Sequence, residues 1–451
     1  MEGDVSLHEL LGTSFECACG RRHYIPTKEV VIESEAIALL GELCERNGMV
    51  GLCNLLADEI TYEVCGREAA RRLRSCGIRV HEVVLDSPKA DDKTCDRANS
   101  LASPHGDFWL AIGSGTINDI AKYVSTNAGQ PYAIVATAPS MNGYTSSIAA
   151  ITVGGLKMTL PANPPVFVLA DLHVLCHAPY ELIAAGLGDA LSKPVSNADW
   201  MLAHILFGDY LCEFCLQLLS RTELLYMSSA SRLKSREPHA VKALMEALCL
   251  SGVAMTIAGS SSPVSGGEHL ISHALDMHAN VTGRRVNLHG AQVGVATIFS
   301  ATLYGRLLEI EALQLDCERL AQRYVSINEW LPRVRDFFGE ACERIIEQLS
   351  LKHPKSQDEL KRKLERVIAM WDDTKARLSG VVRSHDSLRQ MLLDAGAPTT
   401  IHELNLHRGE FREAVMLAHT IRSRYTVLDL ANELGILPDE LDELMERSQI
   451  V

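Results

Sequence analysis

Three short segments carry the side chains best suited to hold a cation: GLGDALSK with Asp189, SGGEHLISH with His269 and His273, and NLHGAQVG with His289. One carboxylate and two imidazoles leave coordination positions open, which is what a catalytic divalent metal needs to bind a substrate oxygen. His269 and His273 are four residues apart, so on a helix they share a face, and one could ligate while the other relays a proton. Taken singly, each residue reads more readily as a capping aspartate or a satisfied histidine. Distance along the chain does not show that they meet.

A second chemistry lies upstream. AIGSGTINDIAKY sets Gly113, Ser114 and Gly115 directly after an apolar strand and before a helix. Such a turn lets backbone N–H groups approach a pyrophosphate closely, and the helix N-terminus adds a favourable dipole. Dinucleotide binding is the hypothesis, although Gly-Ser-Gly is also a common turn and the third glycine of the usual fingerprint is absent. Asp58, at the end of an earlier strand, could accept from an adenine ribose or simply cap a helix.

The thirteen cysteines are an odd number scattered from Cys17 to Cys342, a pattern of reduced thiols and not of a disulfide scaffold. Cys17, Cys19 and His23 in FECACGRRHYIP could contribute to a metal site. A fourth ligand is missing and the spacing matches no standard zinc motif, so a structural hairpin is the preferred reading. Cys212 and Cys215 form a lone C-x-x-C inside the apolar stretch DYLCEFCLQLL, where core packing is the preferred reading over redox chemistry.

The elements that must position these groups follow from periodicity. From Gly48 to about Ala170, short apolar runs alternate with helical patterns, as in a parallel sheet covered by helices. Strands are expected at GLCNLLAD ending at Asp58, IRVHEVVL after Gly77, FWLAIG ending at Gly113, AIVATA ending at Ala138 and VFVLAD ending at Asp171, with helices at Gly66 to Cys76 and Ile117 to Ser125. After Pro179 the strand signal fades, and Leu202 to Met227, His239 to Ile257 and Leu307 to Phe338 read as amphipathic helices. The expectation is an α/β dinucleotide-binding domain over residues 1–178, with the N-terminal hairpin, followed by an all-α domain over 179–451 that binds metal and substrate. The Lys-, Glu- and Asp-rich stretch from His353 to Arg377 reads as a solvated helix face.

Composition narrows the function classes. With 451 residues, 47% hydrophobic and 22% charged, the chain is long enough for two cores. A formal charge of -14 argues against nucleic acid and against anionic membranes. No apolar run is expected to approach the roughly 20 residues that span a bilayer, and Met1 to Phe15 carry acids where a signal peptide has basic residues, so the expected compartment is the cytoplasm.

At this point the residues become recognisable. The chain resembles the iron-containing alcohol dehydrogenase and dehydroquinate synthase superfamily, and within it the bacterial glycerol-1-phosphate dehydrogenases, through CACGRRHYIP, ADEITYEVCG, GSGTINDIAKY, ATAPSMNGYTSS, GLKMTLPANPPVFVLADL, AGLGDALSK with NADW, SGGEHLISH, LHGAQVGV, DAGAPTT and IRSRYTVLDL. The resemblance implies that Asp189, His269 and His289 hold zinc or nickel, with iron as another option. It implies that Gly113, Ser114, Gly115, Thr116 and Asn118 form the pyrophosphate loop for NAD or NADP. Thr137 and Ser140 would line the cofactor cleft, Asp58 would contact the ribose, and His273 would assist proton transfer. The implied reaction is reduction of dihydroxyacetone phosphate to sn-glycerol 1-phosphate, by a homodimer, in phospholipid metabolism. Lys193 is a candidate for the phosphate, against a surface lysine.

Three residues depart from the family pattern. Asn142 stands where relatives have an Asp that contacts substrate hydroxyls, Ser262 where they have Arg, and Ala291 where an acid is common. Asn142 keeps hydrogen-bonding capacity and loses charge, so Asn142→Asp is expected to restore the family's acceptor. Two other classes compete: a dehydroquinate-synthase-like cyclase that uses the nucleotide transiently, and a non-catalytic nucleotide-binding relative.

Overall fold

The structure is a computed structural model that describes residues 6–227 and 229–451. Its contacts divide the chain into two units. The first comprises the chain through Val153, then Lys157–Ala190 and Cys212–Ser261; the second comprises Gly154–Leu156, Leu191–Leu211 and Ser262–Val451.

In the first unit a short helix, Leu7–Leu10, leads into a hairpin, β1 (Ser14–Glu16) antiparallel to β2 (Arg22–Tyr24), with Phe15 opposite His23. Its centre is a six-stranded parallel sheet of β3 (Glu29–Glu33), β4 (Leu52–Asp58), β5 (Arg79–Leu85), β6 (Phe108–Gly113), β7 (Tyr132–Ala136) and β10 (Phe167–Asp171), in the order β3-β10-β7-β6-β4-β5. A small antiparallel pair, β8 (Ile148–Val153) and β9 (Leu156–Pro161), precedes β10. Every residue of β6, β7 and β10 is buried, so these strands are continuous apolar runs covered on both faces. On one face Leu55, Leu110, Val135 and Leu169 share a cluster with Leu40, Leu43 and Leu73 from the covering helices.

The five strands expected from the sequence are present, within two residues at their ends. β3 lies before the region read as α/β and was not expected, nor was the β8–β9 pair. The chain runs from β4 out to β5 and then returns past β4 to β6. The carboxyl ends of β4 and β6 therefore flank the point where the winding reverses, the usual ligand crevice of an open parallel sheet.

Two helices that follow the last strand, Glu213–Met227 and Pro238–Ala258, also belong to this unit. The fading of the strand pattern near residue 178 thus marks the end of the sheet and not the last contribution to the sheet-bearing unit. Pro238–Ala258 corrects one expectation, because it is 21 residues long and apolar enough to span a bilayer by length and composition. It is a core helix: Leu244, Leu248, Val253 and Ala254 are inaccessible to solvent.

The second unit is built of helices. His289–Leu308 is buried continuously from Gly290 to Tyr304, the pattern of a helix surrounded on all sides. Gln357–Ala369 shows a different pattern, with Leu360, Leu364 and Val367 inward and most of its charges outward, although Lys363 is largely buried against Glu433. Two long helices expected from the sequence are interrupted. Leu202 to Met227 breaks at Gly208, which takes a left-handed conformation (φ 75°) and ends Lys193–Phe207. Leu307 to Phe338 is divided among His289–Leu308, Cys317–Ala321 and Ile327–Phe338, with Asp316 and Ser326 capping the later two.

Candidate active site

In the first unit the predicted phosphate turn stands where the sheet topology calls for it. β6 ends at Gly113, Ser114 is the N-cap residue, and the helix Gly115–Asn127 begins at once. Thr137 N–H donates to the Gly113 carbonyl at 3.0 Å, fixing the end of β7 to the turn. Thr137, Ser140 and Asn118 are buried nearby in the chain. Asp58, at the adjacent end of β4, is an N-cap: its Oδ1 accepts from Thr61 N–H at 2.8 Å, and the Asp58 N–H donates to Thr61 Oγ1 at 3.1 Å.

The segment from Ser140 to Ile148 is an irregular loop with a buried anchor that the sequence reading missed. Lys122, inaccessible to solvent, donates from Nζ to the Gly143 carbonyl (2.6 Å), Ser146 Oγ (3.0 Å) and the Ile148 carbonyl (3.0 Å). Burial pulls this ammonium down to about 8, partly offset by the Asp119 carboxylate. A lysine on the apolar face of INDIAKY was the available signal.

Two glycines seat the loop. A Cβ at Gly186 would lie 1.7 Å from the Pro139 carbonyl oxygen, and one at Gly252 would lie 2.3 Å from Thr145 Oγ1. Asp189 is three residues beyond Gly186 on the same helix face. Asn142 meets it there: its backbone N–H donates to Asp189 Oδ2 at 2.9 Å and its Nδ2 to Oδ1 at 2.8 Å. Both oxygens of a fully buried carboxylate are therefore oriented by one residue. The sequence had suggested a substrate contact for Asn142; the structure gives its side chain to Asp189.

In the second unit the histidines converge. His269 and His273 lie on the helix Gly267–Thr282, as their spacing requires, and His289 starts the next long helix. Ring centroids are 5.1 Å apart for His269 and His289, 5.7 Å for His273 and His289, and 6.3 Å for His269 and His273. Glu268 accepts from Gly266 N–H (2.9 Å) and lies 2.6 Å from His269 Nδ1. A carboxylate at Nδ1 fixes that nitrogen as the protonated one and leaves Nε2 to ligate. His289 Nδ1 is 3.3 Å from Ser272 Oγ, a hydroxyl that can donate or accept there. One ring nitrogen of each of these two histidines lies within 4.8 Å of the other, a spacing that fits a shared divalent ion.

Asp199 of the NADW segment braces this arrangement and was also missed. It accepts from Tyr304 OH (2.5 Å), Gly267 N–H (2.6 Å) and Val427 N–H (2.7 Å), joining three segments at the start of the histidine helix. Arg424 donates to the Ser265 carbonyl, and Thr426 caps Val427–Glu433 through Asp429. The Arg-Tyr-Thr segment thus supports the histidine helix from behind. Lys193 is buried, with Nζ 3.1 Å from Ser192 Oγ, so the surface-lysine reading does not hold.

A parallel sheet with a glycine turn at its switch point, joined in sequence to a helical unit carrying prepared histidines, is the fold of the iron-containing alcohol dehydrogenases; the model of that family matches residues 31–179. Among solved structures, a probable glycerol dehydrogenase from Sinorhizobium meliloti matches with a TM-score of 0.61 at 16% identity, covering 94% of this chain and 98% of that one. Curated relatives are more specific. The NAD(P)+ glycerol-1-phosphate dehydrogenase of Halalkalibacterium halodurans is 29% identical across 93% of this chain and 96% of its own, and that of Geobacillus thermodenitrificans is 30% identical across 76% and 85%. The chain belongs to the glycerol-1-phosphate dehydrogenase family.

Proposed function

We propose that this chain catalyses the nicotinamide-linked reduction of dihydroxyacetone phosphate to sn-glycerol 1-phosphate, and the reverse reaction. The observation that carries the reading is the likeness to NAD(P)+ glycerol-1-phosphate dehydrogenases along nearly the full length of both chains. In it, Asp189, His269 and His289 hold one divalent cation, zinc or nickel, and Gly113 to Thr116 with Asn118 hold the pyrophosphate of NAD or NADP. When bound, the cation supplies Lewis acidity at a carbonyl and the nicotinamide supplies hydride.

The chain's own residues do the rest. Glu268 holds His269 in the tautomer that ligates, Ser272 orients the His289 ring at Nδ1, and Asn142 holds the Asp189 carboxylate. His273, one helical turn beyond His269, delivers or receives the hydroxyl proton of the substrate. The N-terminus of Gly115–Asn127 offers unpaired N–H groups to the nucleotide phosphates. Asp58 keeps Oδ2 for a ribose hydroxyl while Oδ1 serves as a cap.

The test follows nicotinamide absorbance with purified protein, zinc or nickel, dihydroxyacetone phosphate, and NADH or NADPH in turn. Net oxidation is expected, which a transient cyclase use of the cofactor does not give. The product should resist an oxidase specific for sn-glycerol 3-phosphate. No turnover with either metal and either cofactor would overturn the assignment.

A further inference from the structure

Outside the dehydrogenase machinery, the first unit gathers four metal-ligating side chains at the N-terminal hairpin. Cys17 follows β1, Cys19 lies in the turn, and His23 stands on β2 opposite Phe15. The turn is closed by Cys17 N–H to the Arg21 carbonyl (3.1 Å) and Gly20 N–H to the Cys17 carbonyl (3.0 Å). The ligand that the local sequence lacks comes from far along the chain: Cys212, fully buried, at the start of the helix Glu213–Met227. It is buried in the core, as the sequence suggested, with its Sγ close to the hairpin side chains. The C-x-x-C partner, Cys215, also contacts the Cys212 thiol, but its Sγ lies 3.6 Å from the Ala254 carbonyl and outside the group of four.

The spacings are those of a coordination shell. Cys17 Sγ and Cys212 Sγ are 3.7 Å apart, His23 Nε2 is 3.2 Å from Cys19 Sγ and 3.8 Å from Cys212 Sγ, and all four ligand atoms lie within 4.8 Å of one another. A tetrahedral zinc with ordinary bond lengths sets S···S at about 3.8 Å and S···N at about 3.6 Å. Three sulfurs and an imidazole are a donor set that selects zinc over the oxygen-seeking cations. The 3.7 Å between the two sulfurs is far longer than a disulfide bond of roughly 2.0 Å.

We infer that Cys17, Cys19, His23 and Cys212 form a second, structural zinc site that clamps the N-terminal hairpin to the helix Glu213–Met227. Four protein ligands leave no position for substrate, so the site is not catalytic. The hairpin needs such a clamp, because two strands of three residues do not hold together alone. Phe15 supplements it, packing between His23 (5.4 Å) and Phe214 (5.0 Å).

The experiment compares wild type, Cys19→Ser and His289→Ala, each purified as the full chain under reducing conditions without chelator. Metal content is measured after zinc reconstitution and exhaustive dialysis, and cobalt replaces zinc for spectroscopy. His289→Ala should retain one zinc equivalent that Cys19→Ser loses. With cobalt, His289→Ala should show thiolate-to-metal charge transfer and the intense visible bands of a tetrahedral site, and Cys19→Ser should not. Because His289→Ala disables only the proposed catalytic cation site, its cobalt spectrum decides the matter even if Cys19→Ser fails to fold. Absence of thiolate–cobalt bands in reduced His289→Ala, or a Cys17–Cys212 disulfide in protein made under reducing conditions, would overturn the inference.

Discussion

Asn142 changes its meaning between sequence and structure. As a departure from the family's aspartate, it suggested that Asn142→Asp would restore a lost substrate contact. Its Nδ2 donates to Asp189 Oδ1 at 2.8 Å, so the substitution sets two carboxylates face to face in a buried site. Like charges at that distance resist joint ionisation. Asn142→Asp should therefore lower turnover at neutral pH, and titration with zinc should show metal affinity reduced by roughly 10- to 100-fold, the range seen when a partner of a metal ligand is lost. Glu268→Gln tests the same layer from the histidine side. A neutral amide at His269 Nδ1 no longer favours one tautomer, and a similar loss of metal affinity is expected by the same titration, with little change in melting temperature of the metal-free protein.

At the scale of elements, the seating of the Ser140–Ile148 loop on two glycines makes a sharp prediction. Gly186→Ala places a methyl group against the Pro139 carbonyl oxygen, a backbone atom that has no rotamer to escape into. Overpacking of this kind costs about 1–3 kcal/mol, to be read from denaturant midpoints. Gly115→Val, whose Cβ would meet Met141 Cγ at 3.3 Å, should weaken nicotinamide binding in a fluorescence titration while leaving those midpoints nearly unchanged. The strands and the glycine turn were legible because apolar runs and turn residues are local signals. Glu268 was also within reach, lying next to His269 in the chain. Lys122 offered only its place on an apolar helix face, and Asp199 and Cys212 offered no signal for their partners, which are far away in sequence and met only on folding. β3 escaped because it holds only three apolar residues between Glu29 and Glu33, too short an apolar run to separate from loop.

For the whole molecule, acid sensitivity has an identifiable source in the second unit. His419 is buried against Trp330, with ring centroids 5.0 Å apart. Burial pushes its imidazolium down to about 4; Asp429 opposes the shift, while Lys352 and His353 add to it. The folded state then binds fewer protons than the unfolded chain between the two values, so the contribution to stability is complete above the ordinary histidine value and is lost as pH falls toward 4. Replacing His419 with Leu should flatten the fall in stability over that window by up to about 3 kcal/mol, measured by denaturation at pH 7 and pH 4.5.

The order of strands in the sheet sets a schedule for synthesis. β3 is bonded only to β10, so the first strand of the sheet to be translated can pair only with the last. At roughly 5–20 residues per second, Val30, Val31 and Ile32 wait on the order of ten seconds outside the ribosome with no sheet to join. During that interval the segment is an apolar strand with both edges open, the kind of segment that pairs with other chains. A nascent-chain chaperone shielding this short stretch would serve the enzyme before any of its catalytic residues had been made.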